Sequence, residues 1–171
     1  MSVAKHPLYT IGHGTRKSDD FVALLKQFGI EYLIDVRSIP HSRFNPQYNQ
    51  KTLKVFLEKN EIRYVFMGDT LGGRPKDPSC YDGDGKVDYD LLKTRDSFHE
   101  GIKRLKTAYE KDLTVAIMCS ESKPQECHRS KLIGSVLDAD NIIVSHIDEI
   151  GTLKDQASVM LAVKKPRSKS S

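Results

Sequence analysis

The stretch LTVAIM, Leu113–Met118, runs into Cys119 and the polar segment MCSESKPQECHRSK, Met118–Lys131. LTVAIM carries no charge and no apolar/polar alternation. That is the pattern of a strand covered on both faces, as in a parallel sheet between helices. Working outward, other short apolar runs alternate with helical patterns. Leu8–Gly12 (LYTIG) reads as the first strand, Glu31–Val36 (EYLIDV) as the second, Ile62–Met67 (IRYVFM) as the third and NIIVSHI, ending at Ile147, as the fifth after LTVAIM. In SDDFVALLKQFG, Phe21, Leu24, Leu25 and Phe28 recur at i, i+3, i+4 and i+7, with Ser18 as N-cap and Gly29 as stop. Leu53, Phe56 and Leu57 mark a second helix behind Asn49, and Phe98, Ile102, Leu105 and Tyr109 a third. A fourth is expected from about Lys123 to Leu137, and a short one near Val159–Val163. The order predicts a three-layer α/β fold: a mainly parallel five-stranded sheet with helices on both faces, Rossmann-like. Residues 1–151 form a single domain, and 152–171 a C-terminal extension whose basic tail ends in KKPRSKSS.

Composition narrows the setting. The chain has 171 residues, 38% hydrophobic and 29% charged, with a net charge of +4. No apolar run approaches the ~20 residues of a membrane span, and the N-terminus lacks the apolar segment of a signal peptide. Three cysteines are too few, and odd in number, for a disulfide framework, which places the chain in a reducing cytoplasm.

Ligands of such sheets bind beyond the carboxyl ends of the strands. His13, in GHGT, follows the first strand. Asp35, Arg37, His41, Ser42 and Arg43 follow the second, and Asp69 and Arg74 the third. Cys119 and Glu121 follow the fourth, His146 ends the fifth, and Cys127, His128 and Arg129 open the fourth helix. These residues are expected on one rim. Arg129 shares the stripe of Ile133 and Val136, so it should point toward the pocket region and not into bulk water. Arg37, Arg43, Arg74 and Arg129 supply planar donors for phosphate or carboxylate. Ser122, Pro124 and Gln125 fit a capping box; were the helix to start nearer Cys127, the helix dipole would lower that thiol's pKa. The segment from Gly68 to Tyr89 is long for a connection and reads as a lid or binding loop.

Three chemistries compete. Cys119 and Cys127 are separated by seven residues, wider than structural zinc spacing, so no metal and no cofactor is assigned. A strand ending in cysteine before a helix carrying arginine follows the logic of thiol phosphatases and rhodaneses, yet nine residues separate Cys119 from Arg129, more than a phosphatase loop holds. Asp35 and Glu121 offer acid–base chemistry beside arginines.

The motifs YTIGHGT, LIDVRSIPHSRFNPQYN, LGGRP, MCSESKPQECHRSKLI and VSHI occur in one order from residue 8 to about 151. In this the chain resembles the bacterial and archaeal family called domain of unknown function 488. The resemblance implies functional candidacy for Gly12, His13, Asp35, Arg37, Pro40, Ser42, Arg43, Gly72, Gly73, Cys119, Glu121, Cys127, His128, Arg129 and His146; it supplies no substrate. The expectation is a hydrolase or transferase acting on a phosphate-bearing small molecule, nucleotide or nucleic-acid element. Asp35, Cys119 and Glu121 are its catalytic candidates. His13, Arg37, Ser42, Arg43, Cys127, His128, Arg129 and His146 are its substrate-binding candidates. The alternatives are a non-catalytic nucleic-acid-binding or repair-associated module and a zinc-binding regulatory protein.

Overall fold

A computed structural model describes residues 6–164, so residues 165–171 of the basic tail lie outside the described residues. The first strand, β1, is Leu8–Gly12. It is followed by α1 (Ser18–Gln27), β2 (Tyr32–Asp35), α2 (Gln50–Lys59) and β3 (Arg63–Phe66). Short helices α3 (Gly68–Leu71) and α4 (Tyr89–Leu92) precede α5 (Asp96–Glu110) and β4 (Val115–Cys119). A π-helical turn, Arg129–Gly134, leads into α6 (Ser135–Ala139), then β5 (Val144–Ile147), β6 (Leu153–Asp155) and α7 (Gln156–Lys164). No described helix is long and apolar enough to cross a membrane.

The strands lie in the order β3-β2-β4-β1-β5-β6. The first five are parallel, and β6 is antiparallel to β5. The sheet thus has six strands and not the five expected. All three residues of β6 are exposed, so LKD carries no hydrophobic periodicity to reveal it.

Period-two alternation builds the layers. Along β4, Val115 and Ile117 enter one core with Phe98, Ile102 and Leu105 of α5 and with Leu132, Ile133 and Leu137. Ala116 and Met118 enter the other, with Phe21 and Leu25 of α1 and Leu53 and Leu57 of α2. Cys119 shares the parity of Val115 and Ile117, which directs it to the face where Arg129–Ala139 packs. Chains leaving β1 and β4, which are neighbours, depart to opposite faces. That divergence is where a doubly wound sheet opens a crevice.

Local corrections concern the caps. Ser18 is the first helical residue and Lys17 precedes it as N-cap, with no side-chain cap on the helix. Asn49 does precede α2, but its Oδ1 accepts from the Ser42 N–H at 2.7 Å and not from the helix. The capping box does not form. Pro124–Glu126 is a single 3₁₀ turn, Cys127 is extended at φ −124° and ψ 150°, and helical backbone begins at His128. The Gly68–Tyr89 segment holds α3, a 3₁₀ turn at Pro78–Cys80 and an antiparallel bridge between Tyr81 and Val87.

Helix α7 is tied to the sheet by buried Gln156. Its Oε1 accepts from His146 Nε2 at 2.6 Å and its Nε2 donates to the Ser130 carbonyl at 2.9 Å. Gln156→Ala strands both partners without water, and the expected loss is about 3 kcal/mol of stability in urea unfolding. A loss below ~0.5 kcal/mol, the scale of a surface substitution, contradicts that anchoring role.

Candidate functional site

The loops after β1 and β4 are bonded to each other. His13 N–H donates to the Cys119 carbonyl at 3.0 Å and Gly14 N–H to the Ser120 carbonyl at 2.9 Å. A Cβ on Gly12 would collide with the Glu121 carbonyl, and Gly14 sits at φ +53°. The glycines of GHGT therefore let the Cys119–Ser122 backbone lie directly against β1.

Beyond these strand ends opens a cleft of about 610 Å³, lined among others by His13, Arg37, Ser42, Arg43, Cys119, Glu121, Cys127 and His128. Eight of the sequence-derived candidates thus share one wall system. Three do not line it: Asp35, Arg129 and His146 are fully buried beneath it. Arg74 and His41, noted at strand ends, join the lining, as do Tyr89 and Glu126. The last two were not legible: Glu126 belongs to the unexpected 3₁₀ turn, and Tyr89 arrives from the long segment after β3.

Asp35 holds Arg37. Its carboxylate accepts from Arg37 Nε at 2.9 Å, Nη2 at 2.8 Å and the backbone N–H at 3.1 Å, and from the Tyr64 hydroxyl at 2.5 Å. Both carboxylate oxygens are thereby occupied, and the buried charge is neutralised by a fork-shaped pair. Arg37 Nη1 remains, 3.4 Å from His13 Nε2. His13 stacks on Tyr48 at 4.3 Å between centroids. Its Nδ1 donates to the Gly14 carbonyl at 2.8 Å, leaving Nε2 with the lone pair. Burial chiefly lowers its pKa to about 4.

Arg129 is held from below. Nη1 donates to Thr10 Oγ1 at 3.0 Å and to the Ile147 carbonyl at 3.3 Å, while Nη2 donates to the Ser122 carbonyl at 2.9 Å. Thr10 donates to His146 Nδ1 at 2.6 Å, and His146 Nε2 donates onward to Gln156. The chain of donors runs one way and fixes the His146 tautomer. Burial lowers the His146 pKa to about 4. Among the described residues Arg129 enters no ion pair with a carboxylate, and its Nε has no partner.

The thiols respond to this charge. Burial alone would push the Cys119 thiol up; the Cys127 thiol as donor, the Arg129 charge and a backbone hydrogen bond from Glu121 together hold it below the ordinary value. When protonated, Cys119 has the Glu121 carbonyl at 3.4 Å as acceptor. Cys127 moves the opposite way, raised well above the ordinary value by burial and by Cys119. The Arg129 charge and backbone N–H at the helix start act to lower it, but desolvation and the neighbouring sulfur outweigh them. His128 Nδ1 stands 3.6 Å from the Cys127 sulfur and Nε2 donates to the Leu71 carbonyl at 3.1 Å. Gly73 passes so close to the His128 ring that a Cβ would meet it at 2.8 Å. Ser42 Oγ accepts from the Asn45 N–H at 3.0 Å and shapes the loop after β2. Among the described residues no group of three or more His, Cys, Asp or Glu is arranged to hold a metal ion.

A family described as Domain of unknown function DUF488 matches residues 17–136. The chain belongs to the DUF488 family. The matched span includes the Asp35–Arg43 loop, Arg74, both cleft thiols and Arg129, while His13 and His146 fall outside it. Comparison with the curated proteins and with the solved structures returns no significant match. The cleft of this DUF488 chain combines two thiols, arginines and histidines in one lining.

His13, His128 and His146 each have a folded-state pKa lowered from 6.5 to about 4, in every case chiefly by burial. The unfolded chain therefore takes up protons first as pH falls. Stability is expected to drop between pH 6.5 and about 4, by up to about 3 kcal/mol per histidine, and this contribution levels off below. Urea midpoints measured across that window check it, and a flat profile contradicts it.

Proposed function

We propose that the cleft is the active site of a thiol-dependent hydrolase or transferase acting on a phosphate-bearing substrate, in a reducing cytoplasm. The observation that carries the reading is the position of Cys119: it lies in a cleft whose walls present Arg37, Arg43 and Arg74. Anionic groups gain most from arginine where the guanidinium is pre-oriented. Arg37 has that property through Asp35, which makes Asp35 a positioning residue and not an acid or base. Arg43 and Arg74 are exposed and meet the ligand at the mouth.

The thiolate of Cys119 is the nucleophile. Its sulfur bonds to the electrophilic atom of the substrate while the leaving group departs with the bond's electron pair and takes up a proton. Water or a second acceptor then displaces the sulfur and gives up its proton. Glu121 serves these transfers at the cleft wall, with His13 Nε2 as a neutral acceptor beside Arg37. Arg129 acts through Cys119 from beneath.

One observation favours a second reading, a nucleic-acid-binding module without catalysis. Phe44, 87% exposed, carries the Arg43 guanidinium 5.8 Å from its ring centre. An exposed ring beside cations suits a stacked base.

Titration of the whole protein with inorganic phosphate and with a nucleoside monophosphate separates these readings. Because Arg43 and Arg74 are exposed, Arg43→Ala and Arg74→Ala leave the core intact; each is expected to weaken binding about tenfold to a hundredfold. Cys119→Ser should retain binding and lose turnover. Ligand that binds with unchanged affinity in both arginine variants overturns the site. Affinity for single strands that falls steeply with salt, with no turnover of any phosphate ester, supports the second reading.

A further inference from the structure

We propose that Cys119 and Cys127 form a hydroperoxide-reactive dithiol, in which oxidation joins the two sulfurs by a disulfide across the cleft and reduction separates them again. The placement is the argument. Cys119 ends β4 with its side chain on the face that the following helix covers, and Cys127 is the extended residue that delivers the chain into that helix. The seven intervening residues leave the strand, make one 3₁₀ turn and return, so both cysteines reach the same cleft despite their separation in sequence. The two thiols also lie near enough to act on each other's ionisation, each shifting the other. Both line the cleft, yet they are only 2% and 6% exposed.

The charges suit an asymmetric pair. The buried Arg129, without a carboxylate partner, favours a thiolate at Cys119. Cys127 keeps its proton and stands as the resolving thiol. The Cys119 thiolate attacks one peroxide oxygen; the S–O bond forms as the O–O bond breaks, and the departing hydroxide is protonated to water. Cys127 sulfur then bonds to Cys119 sulfur, and the hydroxyl leaves with the Cys127 proton as a second water. Two thiol sulfurs are oxidised by two electrons in all, and one peroxide is reduced to two waters. The disulfide removes the nucleophile from the cleft and spares it from irreversible oxygenation.

The third cysteine supplies an internal control. Cys80 is equally buried but packs in the core with Leu71, Leu92 and Phe98, and it borders a different cavity. The inference rests on the thiols' placement and not on the cleft's substrate, so a failure to find turnover leaves it standing.

The test treats the reduced full-length protein with hydrogen peroxide, followed by iodoacetamide, intact-mass measurement and peptide mapping under non-reducing conditions. The expected product has lost two hydrogens, alkylates at Cys80 alone after unfolding, and yields one linked peptide pair containing Cys119 and Cys127. Dithiothreitol restores the starting mass. Cys80→Ala should behave identically. Cys127→Ala should instead retain oxygen on Cys119, trapped by dimedone; if that variant does not fold, the wild-type peptide map alone decides. Oxygenation of the sulfurs with no link between them, a link involving Cys80, or no reaction at peroxide levels that oxidise the unfolded chain overturns the proposal.

Discussion

The guanidinium of Arg129 is the interaction on which the rest of the site depends. A fully buried arginine is costly unless its charge and its donors are met. Here Thr10 on β1, the Ile147 carbonyl on β5 and the Ser122 carbonyl after β4 meet the two terminal nitrogens, while Nε has no partner. One residue thus joins three segments at the carboxyl edge of the sheet. No carboxylate among the described residues forms an ion pair with it, and its charge acts on the Cys119 thiol. The same contact that closes the fold therefore favours ionisation of Cys119.

A second buried arginine is treated in the opposite way, and the contrast explains the division of labour. Arg37 has its own carboxylate, Asp35, and is turned so that one nitrogen remains toward the cleft. Its charge is neutralised at its base and its geometry is fixed. Arg129 keeps its charge and turns away from the cleft. The first is built to orient a ligand, the second to bias a sulfur. The histidines His13 and His128, with pKa lowered to about 4, line the cleft without adding charge at neutral pH.

Much of the fold was legible because the parallel strands are continuous apolar runs and the helices carry clear stripes. The strand β6 was not, since an exposed antiparallel edge needs no periodicity. The rim was legible through the strand-end rule, which gathered His13, Arg37, Cys119 and Cys127 from four segments. Depth was harder. The helical register put Arg129 on the inward stripe, and it is inward, but no register distinguishes a side chain lining a cleft from one lying beneath it. Asp35 illustrates the same limit: a carboxylate at a strand end reads alike whether it faces a ligand or an arginine. The capping-box pattern misled because Pro124 forms only a 3₁₀ turn, which leaves Cys127 extended and beside Cys119. Membership of the DUF488 family supports the choice of segments and is silent on their chemistry.

The central claim is that the charge of Arg129 stabilises the Cys119 thiolate. The pH dependence of Cys119 alkylation, followed peptide by peptide in the wild type, Arg129→Lys and Arg129→Met, tests it most directly. The account predicts ionisation below the ordinary thiol value of 9.0 in the wild type. It also predicts a value kept low by lysine and raised when methionine removes the charge. Cys119 titrating above that ordinary value in the wild type, or at the same pH in all three folded proteins, would contradict it.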